Sequence, residues 1–364
     1  MKHSQPTIHV IGAGVTGLTT ALLLRMNGYD VTILAKDFPD DQNDAEFNSR
    51  CAGTAWKPTA THSETRLQRY EATSFKMLWE MARNHPSEAG IMVVPAYDYY
   101  ENAEKDQDHP WWKYTVPGFE SVCKKELPPN MNAGYHFTTV VINSQRYLQW
   151  LQSQYLTLGG KRKRMTLSHI LDAAVDNENV VDVIVNCTGV QARWLGGVQD
   201  SRVVPVRVQD VIVRASHIRK TVFVQTENGC SYVVPRSDGT VVLGTAEKEN
   251  ETDSTIHLDT AKDIMERVAL FCPELTQGKR TAELDVVGHA VGINGRRRGG
   301  PRVDNEFIRT SSGKRVLITH NYGHAGNGYQ SSWGSAKHAV RLVEEGFGVL
   351  KLEASKVRAL LSRL

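Results

Sequence analysis

The sequence has few cysteines and almost balanced charge. Its five cysteines are far apart and form no C-x-x-C pair, so they indicate neither a zinc site nor a redox dithiol, and no metal is expected. The 43 basic residues stand against 40 acidic ones, a net charge of +3 that is small for a dedicated nucleic-acid-binding protein. These features favour a reduced intracellular compartment and argue against a nucleic-acid partner.

Long apolar runs are also scarce. The stretch IHVIGAGVTGLTTALLLRM, over residues 8–26, could pass for a signal peptide, but three glycines at fixed spacing interrupt it and no small-residue cleavage site follows. No later run is long and apolar enough to span a bilayer. With 364 residues, of which 40% are hydrophobic, we expect a soluble protein of one large or two intimate domains.

A glycine motif lies inside that first apolar stretch. TIHVIG reads as a buried strand, GLTTALLLRMNGY as a helix and DVTILAKD as a second strand, with Gly12, Gly14 and Gly17 in G-x-G-x-x-G spacing at the turn. These glycines permit a tight turn, close approach of a pyrophosphate, and close packing of helix on strand. The helix N-terminus would favour the phosphates, and Asp37 could bind a ribose. The segment therefore predicts a dinucleotide site.

The rest of the chain favours FAD over a nicotinamide dinucleotide. Further regular strand–helix units do not follow; instead, the chain continues into FNSRCAGTAWKPTA, a loop with glycine, tryptophan and proline. A strand-like segment returns far downstream as VVDVIVNCTGVQARWL and ends in Thr188-Gly189, where small residues let the backbone approach a ligand. A strand that returns in this way is typical of FAD domains that are discontinuous in sequence.

Eight segments together resemble the D-amino-acid oxidase and D-aspartate oxidase family of FAD enzymes. They occur in family order and cover nearly the whole chain, and the last is the most specific. The segments are HVIGAGVTGLTTALLL, ILAKDFPDD, CAGTAWKP, DVIVNCTGV, PVRVQD, SYVVPRSDGTVVLGT, VGINGRRRGGPRV and HNYGHAGNGYQSSWG.

The resemblance implies an α/β fold in which a Rossmann-type FAD-binding domain is joined to a second, α+β domain with a mostly antiparallel substrate-binding sheet. We expect the FAD-binding domain to comprise residues 1–75, 136–198 and 285–364, and the substrate-binding domain residues 76–135 and 199–284. The FAD is expected to be non-covalent, because relatives with covalent flavin attach it to a cysteine of the C-terminal segment and this segment has none.

The resemblance also implies which residues contact FAD, and the last five are expected to line the isoalloxazine ring. They are Gly12, Gly14, Val15, Thr16, Gly17, Lys36, Asp37, Ala52, Gly53, Thr54, Leu167, Thr188, Gly189, Gly326, Asn327, Gly328, Tyr329 and Gln330.

The implied reaction is dehydrogenation of a C–N bond to an imine, with O2 reduced to H2O2. In the family, an arginine grips the substrate's α-carboxylate bidentately beside a tyrosine hydroxyl. Tyr232 matches the tyrosine, but Asn294 and Gly295 replace the arginine and proline of V-G-x-R-P-x-R-x-G-G. Glu247 falls near the position of a second active-site tyrosine of the yeast enzymes. Since an unpaired buried carboxylate is costly, we expect altered substrate specificity.

Three explanations of this departure remain open. Arg296 could replace the lost clamp, the substrate could lack a free α-carboxylate, as an amine or a secondary metabolite would, or the chain could be a flavin-binding relative without catalysis. Arg297 is interpreted as a structural arginine that hydrogen-bonds backbone, and Arg298 as a solvated or interface residue. The candidate catalytic residues are Tyr232, Glu247, Asn294, Arg296 and Gln330.

The final residues Ser362-Arg363-Leu364 resemble a type 1 peroxisomal address. The protein is therefore expected in the peroxisome matrix, with an import receptor as a partner, and otherwise in the cytoplasm. The other expected partners are an amine or amino-acid substrate and O2. A homodimer is kept as a further expectation, whereas no nucleic-acid or membrane partner is expected.

Overall fold

The structure is a computed structural model that describes residues 6–41, 49, 53–103, 109–176, 179–227 and 229–361. Two sets of predicted residues lie outside these ranges: the FAD contact Ala52 and the C-terminal tripeptide Ser362-Arg363-Leu364.

Within those ranges the chain forms six α-helices, several short 3-10 helices and the following strands. The helices are α1 (Val15–Met26), α2 (Thr65–Asn84), α3 (Pro86–Ala89), α4 (Ser144–Thr157), α5 (Leu258–Phe271) and α6 (Gly328–Leu361). The strands are β1 (Thr7–Ile11), β2 (Asp30–Ala35), β3 (Thr54–Ala55), β4 (Ile91–Tyr100), β5 (Glu120–Ser121), β6 (Ala133–Ile142), β7 (Lys161–Arg164), β8 (Val175–Asp176), β9 (Asn179–Val180), β10 (Val183–Asn186), β11 (Val203–Arg214), β12 (Thr221–Thr226), β13 (Gly229–Pro235), β14 (Thr240–Glu249), β15 (Val286–Arg297), β16 (Arg302–Arg309) and β17 (Arg315–Tyr322).

The first sheet has the order β16-β17-β10-β1-β2-β7, and its pairs are parallel except for β16 with β17. The predicted returning strand is confirmed, because β10 pairs with β1 with Ile8 opposite Val183. The central strands are continuous apolar runs because both faces are buried. Leu18, Leu148 and Trp333 belong to the core that includes β1 and β10, and the 3-10 helix Ile170–Ala174 packs in a second core with strand residues of the opposite face.

The second sheet has the order β15-β11-β14-β13-β12-β4-β6-β3, with β5 paired to β6. All of its pairs are antiparallel except for β4 with β12. The predicted, mostly antiparallel second sheet is therefore confirmed. Helix α5 covers one face, where Ile264 packs with Val211 and Leu243. The opposite face carries a separate apolar cluster that includes Val242 and the partly buried Tyr232.

Three of these strands bear on the predicted domain boundaries. The prediction assigns residues 54–55, 136–142 and 286–297 to the FAD-binding domain, whereas the structure pairs all three stretches with strands of the second sheet. The division of the chain into two domains with those boundaries stays a prediction.

No helix in the described part of the chain combines the length and the apolarity that crossing a membrane would require.

Candidate active site

The glycine turn between β1 and α1 leaves no room for a side chain at two of its three glycines. Gly12 has a φ of 103°, and a Cβ placed on it would lie 2.6 Å from the carbonyl oxygen of Cys187. A Cβ on Gly17 would lie 1.9 Å from the carbonyl oxygen of Gly12, because the first turn of α1 packs directly on the end of β1. Gly14 begins α1 without a side-chain cap, an arrangement that suits a phosphate at the helix N-terminus.

A cavity of about 670 Å³ opens at the carboxyl ends of β1, β2, β10 and β17. Ligands of open α/β sheets bind at this edge, where the order of the strands reverses. Many of the predicted FAD contacts line this cavity, and Asn294 lines it as well. The lining contacts are Gly12, Gly14, Val15, Thr16, Lys36, Asp37, Leu167, Thr188, Gly189, Gly326, Gly328 and Tyr329.

Sequence reasoning missed more lining residues than it identified. Most of them lie at or shortly after the carboxyl end of β1, β2, β7, β10 or β17, so the strand ends themselves were the signal that could have found them. Examples are Met165, Thr166, Ser168, Val190, Gln191, Trp194, Gly323 and His324. Ser49 is an exception, because it comes from the loop before β3, and its hydroxyl accepts from the Val15 N–H at 3.4 Å.

The other predicted FAD contacts that the structure describes are not on the cavity lining. A Cβ on Gly53 would lie 2.6 Å from the ring of Tyr232, so this segment packs against the second sheet. Thr54 begins β3, and Asn327 donates from Nδ2 to the Thr59 hydroxyl at 2.6 Å. Gln330 is buried in the first turn of α6.

Glu71 of α2 joins two of these segments and was missed from sequence. Its carboxylate accepts from the backbone N–H groups of Thr59 and Ala60 at 3.2 and 3.3 Å and from Gln330 Nε2 at 3.0 Å. The residue is 2% exposed, and burial raises the pKa of its carboxyl to about 7 despite these hydrogen bonds. Glu71 therefore fixes the Gln330 side chain against the loop that follows β3.

Asn294 shares one face of the second sheet with two glutamates. Directly opposed residues of antiparallel strands point to the same face. Val206 of β11 is paired with Asn294 of β15 on one side and with Glu249 of β14 on the other. Val208, two residues further along β11, is paired with Glu247 of β14. Tyr232 lies on β13, so β11 and β14 separate its strand from that of Asn294.

Arg296 is held by these two glutamates. Its Nη2 lies 2.6 Å from Glu247 Oε2 and its Nη1 lies 2.8 Å from Glu249 Oε1, while the side chain remains 40% exposed. A substrate carboxylate that bound Arg296 would have to compete with two carboxylates already in place. The structure thus brings the predicted residues Arg296 and Glu247 together, and it adds Glu249, which the alternation of β14 could have revealed.

Arg297 and Arg298, which follow Arg296 in the chain, differ in burial. Arg297 is buried, donates to Asp200 Oδ2 at 2.7 Å and to the carbonyl of Gly300 at 3.1 Å, and so confirms the prediction of a structural arginine bound to backbone. Arg298 is exposed.

Tyr232 contacts a carboxyl group that sequence reasoning also missed. Its hydroxyl donates to Oδ1 of Asp210 at 2.8 Å, and Asp210 is 2% exposed. Burial raises the pKa of Asp210 to about 7, with the hydrogen bond from Tyr232 acting in the opposite direction. The signal was the final residue of PVRVQD, an acidic side chain in an otherwise well-buried strand.

We expect the buried carboxyls of Glu71 and Asp210 to lower the free energy of unfolding as the pH rises from about 5 to 7. The folded-state pKa values, about 7, lie above the ordinary values of 4.5 for Glu71 and 3.8 for Asp210. Between the ordinary and the folded-state value the folded protein binds more protons, so the free energy of unfolding falls as the pH rises, and above about 7 the loss is complete. The slope for one group is at most about 1.4 kcal/mol per pH unit.

The measurement is denaturant unfolding at several pH values for the wild type, Glu71→Gln and Asp210→Asn. Each variant should show a shallower fall than the wild type over this range. Glu80→Gln, at an exposed position of the same helix as Glu71, should leave the fall unchanged. Equal slopes for all four proteins would contradict the prediction.

The chain is similar to known FAD-dependent oxidoreductases over nearly its whole length. The model of the family described as FAD dependent oxidoreductase matches residues 7–342. The D-amino-acid oxidase of Schizosaccharomyces pombe is 31% identical over 94% of this chain and 97% of its own length. The D-amino-acid oxidase of Fusarium vanettenii is 34% identical over 93% of this chain and 97% of its own.

Solved structures of more distant proteins share the fold. The glycine oxidase of Bacillus cereus aligns with a TM-score of 0.70 at 17% identity, covering 94% of this chain and 96% of its own. The L-α-glycerophosphate oxidase of Mycoplasma pneumoniae, solved with FAD bound, aligns with a TM-score of 0.69 at 16% identity, covering 94% of this chain and 95% of its own.

Proposed function

The chain belongs to the FAD dependent oxidoreductase family and is an enzyme of the D-amino-acid oxidase type, and we propose that it dehydrogenates a C–N bond to an imine and reduces O2 to H2O2. We further propose that its preferred substrate lacks a free α-carboxylate or carries an additional cation. The observation behind this second step is the pairing of Arg296 with Glu247 and Glu249 on the face of the sheet that carries Asn294.

The cavity has the features that FAD requires. The N-terminus of α1, to which Gly14 supplies no side-chain cap, suits the pyrophosphate. Gly12 and Gly17 let α1 pack closely on the ends of β1 and β10, which brings this helix end to the cavity. Asp37, at the end of β2, would bind the ribose, while Gly328 and Tyr329 at the start of α6 would lie beside the ring system. Bound FAD would supply the hydride acceptor and pass the electrons on to O2.

We propose that the FAD is held without a covalent bond. Among the residues that the structure describes, Cys187 is the cysteine on the cavity lining, and burial raises the pKa of its thiol to about 12. A thiol that stays protonated is a poor nucleophile, so Cys187 is not expected to attach to the flavin.

The charges on the face of the second sheet that carries Asn294 support the proposed change of specificity. Asp210, Glu247 and Glu249 share one face of the sheet with a single arginine from β15, Arg296, and its guanidinium contacts two of these carboxylates. Asn294 supplies an amide in place of the family's guanidinium, and an amide cannot neutralise a carboxylate. An α-carboxylate at Asn294 would therefore lack the charge that the family's guanidinium supplies, whereas an amide avoids this cost and a second cation would be stabilised by the glutamates.

The test compares substrates that differ at the carboxyl group or in the charge of the side chain, by the H2O2 that the purified holoenzyme releases. D-alanine and D-alaninamide have the same carbon skeleton and differ at the carboxyl group, and D-lysine and D-aspartate add charges of opposite sign. We expect the highest kcat/KM with D-alaninamide, an intermediate value with D-lysine and the lowest with D-aspartate. A clear preference for D-alanine would contradict the altered specificity, and the absence of H2O2 with every compound would contradict the oxidase proposal.

We also propose import into the peroxisome through Ser362-Arg363-Leu364, which lies outside the described residues. The presence of a C-terminal S-K-L-like tripeptide in an oxidase that makes H2O2 supports this location. A fluorescent protein fused to the N-terminus should accumulate in peroxisomes, and deletion of the tripeptide should leave it in the cytosol. An unchanged distribution after the deletion would contradict the proposal.

A further inference from the structure

The basic strand β7, with the sequence KRKR, ends beside the part of the cavity that β2 reaches. It pairs in parallel with β2 at the edge of the first sheet, with Arg164 opposite Ala35. The Met165 N–H donates to the carbonyl of Ala35 at 2.9 Å and extends this pairing by one residue. Residues 34–37 and 165–168, at and after the carboxyl ends of these two strands, line the cavity. Strand β7 is therefore part of the framework of the proposed dinucleotide site.

The two arginines of β7 contact the turn that follows β2. Arg162 donates from Nη1 to both carboxylate oxygens of Asp40, at 2.7 and 2.9 Å. Arg164 binds Asp41 through two hydrogen bonds, from Nη1 to Oδ2 at 2.9 Å and from Nη2 to Oδ1 at 2.5 Å. Both guanidinium groups lie over the ring of Phe38, at 5.2 and 5.4 Å from its centroid. Each arginine thus joins a carboxylate and the aromatic ring of the same turn.

This turn is closed on itself and is fixed to the end of β2. The Phe38 N–H donates to Asp41 Oδ2 at 2.7 Å, and the Asp41 N–H donates to the Phe38 carbonyl at 3.1 Å. The Phe38 side chain belongs to the main core, which anchors the turn. Arg164 also donates from Nη1 to the carbonyl of Lys36 at 2.6 Å, and Lys36 lines the cavity. Because one guanidinium binds the chain before and after Asp37, a change at Arg164 alters the support of Asp37 on both sides.

The order of the strands indicates which half of a dinucleotide this edge would receive. Strands β2 and β7 lie on one side of β1, and β10 and β17 lie on the other. An acidic residue at the end of the second strand of such a unit binds the adenosine ribose, and Asp37 stands at that point. The second sheet approaches the other side, because a Cβ on Gly295 would lie 2.8 Å from Val190, shortly after β10. The adenosine half would therefore lie at β2 and β7, and the flavin half at β10 and β17.

From this geometry we infer that Arg162 and Arg164 are positioning residues for the adenosine half of FAD. They hold the turn after β2 so that Lys36 and Asp37 stay at the cavity, whereas neither arginine is itself on the lining. The inference rests on the proposed function, in which FAD occupies this cavity, and it adds two residues to that site. A guanidinium suits this role because its planar fork fixes a carboxylate in one orientation, which an ammonium does not.

A purely electrostatic role of the basic strand makes different predictions. If β7 only attracted the phosphates, each of its positive charges would contribute, and removal of a nearby carboxylate would favour an anionic ligand. If the arginines position the turn, the geometry of the contact decides and the charge by itself does not. Hydrogen bonds from Arg162 lower the pKa of Asp40 to about 2, and those from Arg164 lower the pKa of Asp41, so both carboxylates are ionised at neutral pH.

Binding of three ligands to the flavin-free protein tests the inference without turnover. FAD contains both halves of the cofactor, ADP the adenosine half and FMN the flavin half. Titrations of FAD and FMN are followed by flavin fluorescence, and ADP is measured by competition with FAD. Arg164→Gln should weaken FAD and ADP by about tenfold each and leave FMN within about twofold, because it removes three hydrogen bonds at the adenosine end. Arg162→Gln should act in the same direction with a smaller factor.

Three further variants separate position from charge. Lys163→Gln removes the same charge from the same strand at an exposed residue whose side chain points to the other face, and it should bind all three ligands like the wild type. Arg164→Lys keeps the charge but not the fork, so it should weaken ADP nearly as much as Arg164→Gln. Asp41→Ala removes a negative charge and should nevertheless weaken ADP by about tenfold. Combined with Arg164→Gln it should add little, because both changes remove the same contact.

Several outcomes would overturn the inference. Equal losses in Lys163→Gln and Arg164→Gln, full affinity in Arg164→Lys, or a gain for ADP in Asp41→Ala would show that charge alone matters. Equal losses of ADP and FMN would show a general structural role, and failure of ADP to displace FAD from the wild type would remove the adenosine half from this edge. If Arg164→Gln does not fold, Arg164→Lys and Asp41→Ala decide. The oxidase proposal fails separately, through the absence of H2O2 from a protein that binds FAD as expected.

Discussion

Replacing Gly17 by alanine is expected to lower the affinity for FAD by roughly a hundredfold. The added Cβ would lie 1.9 Å from the carbonyl oxygen and 2.9 Å from the carbonyl carbon of Gly12. Both contacts are with backbone, so no rotamer change relieves them and α1 must move away from β1. That movement displaces Gly14 and Val15, which line the cavity at the proposed phosphate site. We also expect a loss of about 1–3 kcal/mol in the free energy of unfolding from overpacking.

Gly348→Ala is the matched control for this experiment. It makes the same change in the exposed part of α6, where nothing lies within 4 Å of the added Cβ. Because alanine favours the helix over glycine, the control should be stabilised by up to about 1 kcal/mol and should bind FAD like the wild type. Titration of both apoproteins with FAD, followed by flavin fluorescence, measures the difference. Wild-type affinity in Gly17→Ala would mean that the turn does not hold the cofactor.

The second large effect is expected from Asn294→Arg, which we predict to raise kcat/KM for neutral D-amino acids by about tenfold to a hundredfold. Residue 294 lines the cavity, so a guanidinium there would offer two parallel hydrogen bonds and a charge to an α-carboxylate. Charge-assisted hydrogen bonds contribute about 1.5–3 kcal/mol, which corresponds to this factor. Arg296 cannot supply the same interaction while Glu247 and Glu249 hold its guanidinium.

Asn294→Gln serves as the control, because it lengthens the side chain without adding charge and should leave kcat/KM for D-alanine near the wild-type value. Addition of Asp210→Ala to Asn294→Arg should increase the gain further, since Tyr232 would then be free to donate to the same carboxylate. An equal gain in Asn294→Gln would show that the length of the side chain, and not its charge, limits kcat/KM. No gain in either arginine variant would contradict the proposal that loss of the arginine at position 294 changes the substrate specificity.

The flavin side of the site could be predicted from sequence because its contacts are local. Gly12, Gly14 and Gly17 stand within six positions of one another, and the turn that they form depends on the strand and the helix directly beside it. Small residues after β10 mark a strand end in the same way. What these patterns did not reveal is how many strand ends converge on one cavity, since residues such as Ser168 and Trp194 line it without any motif of their own.

The substrate side was decided by the tertiary structure. The grouping of Arg296 with Glu247 and Glu249 depends on the register of β15 and β14 on either side of β11, and a shift of one residue would send these side chains to opposite faces. The sequence identified the missing arginine at position 294 but left open whether Arg296 replaces it. Glu71 likewise meets Gln330 across 259 positions of the chain, a contact that no local pattern contains.

Sequence alone thus determined the family, the cofactor and the segment that binds it, because a dinucleotide turn is a short stretch whose sterics restrict each position. Only the fold decided which polar side chains meet on this face of the second sheet. Asp210 and Tyr232 meet where β14 has one residue more than β11 between paired positions, and they meet over Gly244, which has no side chain; neither feature can be read from the two residues themselves. Strand pairing between distant parts of the chain fixes which charged side chains face each other, and the proposed substrate preference depends on those charges.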